Sequence, residues 1–554
     1  MPKRRPSRKK GQKAKKTAQK PEVQLSLKER LAIKRKRDRQ RKALLQFTGI
    51  AGFLSVIVGV AAGLVAGPKL GLGAAVGILY MSLSFKYPRF ALWGFFIYLP
   101  FGGTITYAIG SSPLLQLAKD GFYIPALFGV YQYCRSEKQP FIINKAVLTP
   151  VVILFVYCCI VLLFVNGAQQ LSSDGELPFF LGILGMKVLM GYIPLTICAY
   201  YLITNKQTFF FLMRLTLVLI FSCCVLAFMQ YVFLTVGICE GTRAAEGSDL
   251  FKATLDARCL VGGALLFSPQ EGQIRLPGTF VAPWQWGWFL ISSAFLCFAS
   301  AFNEPVIRWR LFGMISMGSV FVMALLSGQR IALALVPVIV VGLLIGTGQV
   351  ANLKKFIPVA VLLSIVLTVA ALKNPEIVEE RIASFQSRWS ASPPHQFIVE
   401  QFEWAIHTNG ELLGNGLGRA TNSGRSLAKT ALVETYYPKL IYEIGLMGTF
   451  AFLAVVTTLT MQTFKAYRSV RDRTLRSYAA AFWFYVLFIS YNTYYYPLDV
   501  DPVAVYYWFF AGVLLKLPVL DKEKSPEELE EEASSGKKRK RSQRSSQKRV
   551  KTFA

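Results

Sequence analysis

Long apolar runs separated by short polar connections fill the chain between residues 44 and 517. Leu44–Gly67, Val147–Val165, Thr208–Val236, Ile331–Gly346 and Phe356–Leu372 are the clearest. Several have the ~20 residues that a helix needs to cross ~30 Å of hydrocarbon. The pattern predicts fourteen hydrophobic segments, near 44–67, 69–85, 88–109, 114–134, 147–165, 178–203, 208–238, 284–302, 311–327, 330–347, 356–372, 439–463, 477–494 and 502–517. Gly102–Gly103 and Ser111–Pro113 interrupt the third and fourth, and a re-entrant piece is the alternative for one of them. The expected fold is all-α: a polytopic helical membrane protein of about 12–14 transmembrane helices with one long extracytoplasmic loop. The first segment follows 43 mostly polar residues and has no small-residue cleavage pattern, so it reads as a retained membrane helix, not a signal peptide.

Charge sharpens this picture. The 554 residues carry a net charge of +31, yet only 17 % of them are charged. Residues 1–43 hold 19 Lys/Arg and three acids, and residues 521–554 hold 11 Lys/Arg and seven acids. The remaining 44–520 keep 32 basic and 21 acidic residues, too few to cover the surface of a soluble protein of that size. The chain therefore divides into a basic tail (1–43), a membrane domain (44–520) and a second charged tail (521–554). The tails read as topology anchors that bind anionic membrane lipids, and no specific nucleic acid is expected. Residues 25–42 are expected to become a charged helix leading into the membrane.

With the N-terminus inside, the connections at 85–89, 135–145, 204–207, 303–310, 347–355 and 465–476 fall inside and hold 2, 3, 1, 2, 2 and 5 Lys/Arg. The outside connections at 166–177 and 495–501 hold none and carry Asp174, Glu176, Asp499 and Asp501. Both termini are then cytoplasmic. Two long loops, about 237–283 and 373–438, are extracytoplasmic. Of the nine cysteines, seven lie in or at the ends of apolar runs. Cys239 and Cys259 lie in the first long outside loop, where an oxidising compartment would permit a disulfide.

Chemistry is narrowed by what is missing. Two histidines, His395 and His407, cannot make a multi-histidine zinc site, and HExxH, GxSxG and P-loop motifs are absent. No metal or cofactor is expected. The informative polar residues lie at the predicted outer face. Arg275 stands just before the eighth segment, and Arg330 stands in the tight turn Ser327-Gly-Gln-Arg330. Arginines at a membrane edge are costly without an anionic partner, and the guanidinium fork matches phosphate oxygens. Snorkelling, or pairing with a loop acid, is the alternative for each. Glu434 lies shortly before the twelfth segment, where a carboxylate can accept a proton from a hydroxyl. Glu443 is expected to be a structural partner for a basic residue. Lys187 is the one charge in the sixth segment and either snorkels or faces a polar interior.

Five stretches in order resemble the O-antigen ligase and O-antigen polymerase superfamily of bacterial membrane glycosyltransferases, over roughly residues 90–515. Arg275-Leu-Pro-Gly-Thr-Phe280 followed by Pro283 is similar to its Arg-x-x-Gly-Thr-Phe-x-x-Pro stretch, and Ser327-Gly-Gln-Arg330 to its Ser-Arg element. A long outside loop follows at the expected place. Leu412-Leu-Gly-Asn-Gly-Leu-Gly418 resembles its Leu-Leu-Gly-x-Gly-x-Gly, and Tyr442-Glu-Ile-Gly-Leu-Met-Gly448 its Glu-x-Gly-x-x-Gly. Ligases of the family usually carry a His-Asn pair nine residues before that glutamate, where this chain has Glu434-Thr435, and the Asp-x-Arg-like element is missing from 390–400. These departures point away from lipid-A-core ligation more than from the superfamily.

The resemblance implies a metal-independent inverting glycosyltransferase of the bacterial plasma membrane, serving lipopolysaccharide or other envelope polysaccharide biosynthesis, with its site facing outward. The donor would be a glycan on undecaprenyl diphosphate and the acceptor a lipid or glycan hydroxyl. Arg275 and Arg330 would hold the diphosphate, and Glu434 would be the base. Lys187, Tyr437, His407 and the glycines Gly414, Gly416 and Gly418 are the substrate-binding candidates. Ligase and polymerase remain open, as does a small-anion transporter.

Overall fold

The computed structural model describes residues 27–109, 113–243, 257–259, 261–268, 273–350, 393–408, 412–421, 424 and 427–523, with isolated positions between 354 and 390. The chain divides into two compact units, residues 1–79 and 80–554. Among the described residues nine helices are long and apolar enough to cross a membrane, and the protein is an all-α polytopic chain. The segment expected at 356–372 lies, isolated positions apart, outside the described residues.

In the first unit, α1 (Leu27–Ala66) runs unbroken from its basic start into the apolar stretch that begins the membrane domain. Gly67, at φ +92°, reverses the chain into α2 (Pro68–Lys86). The two helices cross on small residues. A Cβ on Gly59 would lie 2.6 Å from Ala75 Cβ, and one on Gly71 would lie 2.5 Å from the Gly59 carbonyl oxygen. Lipid supplies no hydrophobic drive between helices, so such close backbone packing is what associates them.

The second unit takes in the end of α2 and continues with α3 (Pro88–Tyr98), a 3-10 turn (Leu99–Phe101) and α4 (Gly102–Ile109), one bent helical run over the third expected segment. Next come α5 (Pro113–Ser136) and α6 (Lys145–Val161). A π-turn (Leu162–Asn166) joins α6 to α7 (Gly167–Ser172). The sixth segment is split into α8 (Pro178–Met190) and α9 (Leu195–Leu202), and α10 (Lys206–Thr235) follows. The loop after α10 holds two antiparallel ribbons that the hydrophobic pattern does not foretell. They are β1 (Arg258–Cys259) on β2 (Gly262–Ala264), and β3 (Leu266–Ser268) on β4 (Gln273–Arg275).

The helices α11 (Pro283–Asn303), α12 (Ile307–Leu326) and α13 (Arg330–Gly346) follow. The rest are α14 (Pro394–Thr408), α15 (Tyr436–Ser469), α16 (Arg473–Tyr491) and α17 (Val503–Lys522). Helices α11 and α17 form the centre and are buried nearly all round, which is why their apolar residues show no polar face. The peripheral α6 turns Val152, Ile153, Phe155 and Val156 outward, as lipid-facing helices do.

One end of the unit is locked by Glu304, the fully buried cap of α11. Its Oε1 accepts from Arg214 Nε of α10 at 3.0 Å, and its Oε2 from the Tyr478 hydroxyl of α16 at 3.2 Å. Its backbone carbonyl accepts from Arg310 Nε and Nη2 at 3.1 and 2.8 Å. Three helices are thereby tied to one carboxylate-bearing residue. The polar residues discussed next gather at the other end of α11.

Candidate active site

The segment from Arg275 to Phe280 is threaded through the unit by backbone bonds. Arg275 pairs with Leu266 in the second ribbon. Leu276 then donates its N–H to the Ser327 carbonyl at 3.0 Å. Gly278, at φ +58°, donates to Gln230 Oε1 of α10 at 3.1 Å, and a Cβ there would stand 2.4 Å from the Trp286 indole of α11. Thr279 donates its hydroxyl to the Pro100 carbonyl at 2.6 Å and accepts at its own carbonyl from Thr104 N–H at 3.1 Å. Only glycine fits that left-handed, ring-covered position, so Gly278 is explained by packing.

The turn that receives Leu276 is Ser327-Gly-Gln-Arg330. Ser327 closes α12, Gly328 turns at φ +69°, Gln329 caps α13 and Arg330 is its first residue. The Leu276–Ser327 bond therefore brings the strand carrying Arg275 against the turn carrying Arg330, though the two lie 55 positions apart. Both arginines are partly exposed.

Glu434 reaches the same end by a third route. Its N–H donates to Gln401 Oε1 of α14 at 3.2 Å. Thr435 forms an antiparallel bridge with Tyr494, and Tyr436 N–H donates to the Thr493 carbonyl at 2.7 Å. Tyr495 and Tyr496 sit at φ +54° and +27°, a region costly for bulky side chains. Trp288 Nε1 holds the Tyr495 carbonyl at 3.0 Å, and Asn492 Nδ2 holds that of Tyr494 at 2.7 Å. The half-buried Tyr494 phenol is pushed above its ordinary pKa, first by burial, then by Tyr495 and by the negative charge of Glu434, while Arg330 pulls it back. Glu434 and Arg330 thus act on one hydroxyl from opposite sides of the electrostatic balance. A guanidinium, a carboxylate and a phenol therefore share this end of the unit.

The glycine-rich stretch does something other than line this group. Helix α15 breaks at Gly445 (φ +69°, ψ 179°), which frees the carbonyls preceding the break. Those of Tyr442 and Glu443 accept from the N–H groups of Asn415 and Gly416 at 2.8 and 3.0 Å, and that of Ile444 from the Tyr157 hydroxyl at 3.0 Å. The two glycine motifs are therefore halves of one joint. Gly414, Gly416 and Gly418 have φ of +75°, +105° and +82°. Cβ atoms there would lie 2.6 Å from Gly445 N, 3.0 Å from Asn166 Nδ2 and 2.4 Å from the Leu181 carbonyl oxygen. The three glycines, expected as substrate contacts, are buried and packed closely against protein.

Other candidates are placed as follows. Lys187 of α8 is engaged by Asp120 of α5 at 2.9 Å, so its charge is answered inside the protein. Tyr437 is buried and donates its hydroxyl to the Ser490 carbonyl, which fastens α15 to α16. His407 is exposed near the end of α14. Glu443 is buried, lies 3.8 Å from Lys439 Nζ, and accepts from Ala420 N–H at 2.8 Å and the Thr421 hydroxyl at 3.2 Å. Lys439 also bonds Asp499. Cys239 and Cys259 are joined by a disulfide that ties the end of α10 to the first ribbon.

Three functional or supporting residues escaped the sequence reading. Tyr494 was counted at the end of the segment 477–494, whereas the helix stops at Tyr491; the run of three tyrosines before Pro497 is the signal that was available. Asn166, wholly buried in the π-turn, was hidden at the end of an apolar run. Gln401 has no local signature.

Comparison with known protein families finds no matching family model, and no curated protein matches the chain. The likeness to the O-antigen ligase superfamily stands on the motifs alone.

Proposed function

We propose that this protein is an O-antigen ligase-like glycosyltransferase that moves a glycan from undecaprenyl diphosphate to an acceptor hydroxyl at the outer face of a bacterial plasma membrane. What supports this reading is the hydrogen bond from Leu276, next to Arg275, to Ser327 in the turn that carries Arg330, together with the opposed charges of Arg330 and Glu434 that both bear on the Tyr494 phenol. In the reaction, the acceptor oxygen attacks the anomeric carbon while Glu434 takes the hydroxyl proton. The bond from that carbon to the diphosphate oxygen breaks, and the electron pair leaves with undecaprenyl diphosphate. Arg275 and Arg330 stabilise the negative charge on the departing group. Attack from the opposite face inverts the anomeric centre. A repeat-unit polymerase would run the same step with a lipid-linked glycan as acceptor.

A small-anion transporter is the reading from another class. The break in α15 beside Lys439 and Glu443 is the feature that favours it, because discontinuous helices and buried charges mark transport sites. Yet Lys439 already faces two carboxylates, Asp499 and Glu443, so its charge is answered within the protein.

The test is reconstitution. Purified protein is given an undecaprenyl-diphosphate-linked oligosaccharide and candidate acceptors, with Arg330→Ala as the control. Release of undecaprenyl diphosphate that depends on Arg330 supports a transferase, and the product ladder separates polymerase from ligase. Solute flux in liposomes without any release would replace this reading by the transporter.

A further inference from the structure

The far end of the second unit holds a cavity of about 300 Å³ that no step above uses. It is lined by the turn after α13 (Gly346, Thr347, Gly348, Gln349), by Tyr467 of α15, and by Arg473, Arg476, Ser477 and Ala480 of α16. Its lining carries two guanidinium groups and no carboxylate. The acids nearby are occupied elsewhere. Asp472 caps α16 by accepting from Leu475 N–H at 2.8 Å, and Asp521 accepts from Arg471 N–H and Asp472 N–H at 2.7 and 3.0 Å. Among the described residues neither Arg473 nor Arg476 has a carboxylate partner; Arg476 rests over the Tyr467 ring at 5.8 Å.

The same face of α16 changes character along its length. Arg473, Ser477, Ala480, Phe484 and Leu487 recur at helical spacing on one side. Phe484 sits against Gly346, where an added Cβ would be 2.4 Å from its ring. Phe484 and Leu487 are partly exposed, and Ile345 and Val341 of α13 are exposed. A cationic, hydroxyl-bearing cavity thus opens onto an apolar track on α16 that runs beside the apolar helix α13.

We propose that this cavity binds the phosphate of an anionic phospholipid, whose acyl chain lies along Phe484 and Leu487 beside α13. A guanidinium pair matches phosphate oxygens by charge and by fork geometry. The apolar track selects a lipid over free phosphate, and basic pockets between membrane helices are the known form of such sites.

The experiment uses the full-length protein in a neutral detergent, titrated with phosphatidylglycerol, phosphatidylcholine or inorganic phosphate while the midpoint of thermal unfolding is read. Native mass spectrometry counts retained lipid in parallel. The wild type should show a saturating rise in Tm with phosphatidylglycerol only. The double variant Arg473→Gln/Arg476→Gln, which keeps both basic tails, should need about tenfold more phosphatidylglycerol for the same rise. Arg473→Lys/Arg476→Lys, which keeps the charge, should recover part of the affinity and so exclude misfolding as the cause. Equal rises with phosphatidylcholine, or an unchanged phosphatidylglycerol response in the Gln variant, would overturn the site. An equal response to inorganic phosphate would overturn its assignment to a lipid.

Discussion

Asn166 and Leu417 exchange two hydrogen bonds across 251 residues of sequence: Asn166 Nδ2 donates to the Leu417 carbonyl at 3.0 Å, and Leu417 N–H donates to Asn166 Oδ1 at 2.9 Å. A side-chain amide here does what a neighbouring strand would do, satisfying a backbone that passes through the protein interior. The same Nδ2 also bonds the Pro178 carbonyl at 3.1 Å, so one buried residue ties α6, α8 and the glycine loop. Asn166→Ala leaves the buried N–H and carbonyl of Leu417 without the amide that pairs them. We expect a loss of about 2–4 kcal/mol, read as a lowered thermal midpoint of the detergent-solubilised protein. An unchanged midpoint would mean water can take the amide's place.

The interlocked glycines give a contrast within one residue type. Gly418→Ala and Gly445→Ala place a methyl group 2.4 and 2.2 Å from carbonyl oxygens at left-handed φ, and each should destabilise by more than about 1–2 kcal/mol. Gly318→Ala, in α12 with open space around it, should be neutral or slightly stabilising. Thermal unfolding of the three variants side by side decides whether the loop's glycines are there for packing.

Buried Glu304 predicts a non-additive pair. Arg214→Leu alone strands a carboxylate that is fully buried and should cost on the order of 3–5 kcal/mol. Adding Glu304→Leu should recover much of that loss, because two apolar groups need no partner. A double-mutant cycle on Tm or on expression yield measures the coupling.

For the proposed reaction, Arg330→Ala should lower undecaprenyl diphosphate release by roughly 10²–10³. Arg330→Lys should fall between, since it keeps the charge and loses the fork. Glu434→Gln should lower kcat by roughly 10²–10⁴ with little change in KM. Wild-type turnover in Glu434→Gln would remove it as the base.

The Cys239–Cys259 bridge ties the end of α10 to the first ribbon, the one that precedes the ribbon carrying Arg275. Replacing either cysteine by serine should cost about 2–4 kcal/mol. Thiol alkylation of protein kept in its native membrane, followed by mass spectrometry, should find both residues protected until a reductant is added.

The helical, membrane-spanning character of the chain was legible from residue order alone, because crossing hydrocarbon demands long apolar runs whose backbone bonds close within each segment. So were the tails, by their charge. The positions of Arg275, Arg330 and Glu434 could also be singled out, since charged residues at the margins of apolar runs are few. Sequence could not say that the strand of Arg275 bonds the turn of Arg330, or that the charges of Arg330 and Glu434 both bear on Tyr494. Those relationships join segments tens to hundreds of residues apart, and no local periodicity encodes them. The glycines show the division most plainly. A Gly-x-Gly-x-Gly stretch looks like a ligand loop by composition, but only the break at Gly445, with its freed carbonyls across from Asn415 and Gly416, decides that the space a side chain would fill is already taken by the protein's own backbone.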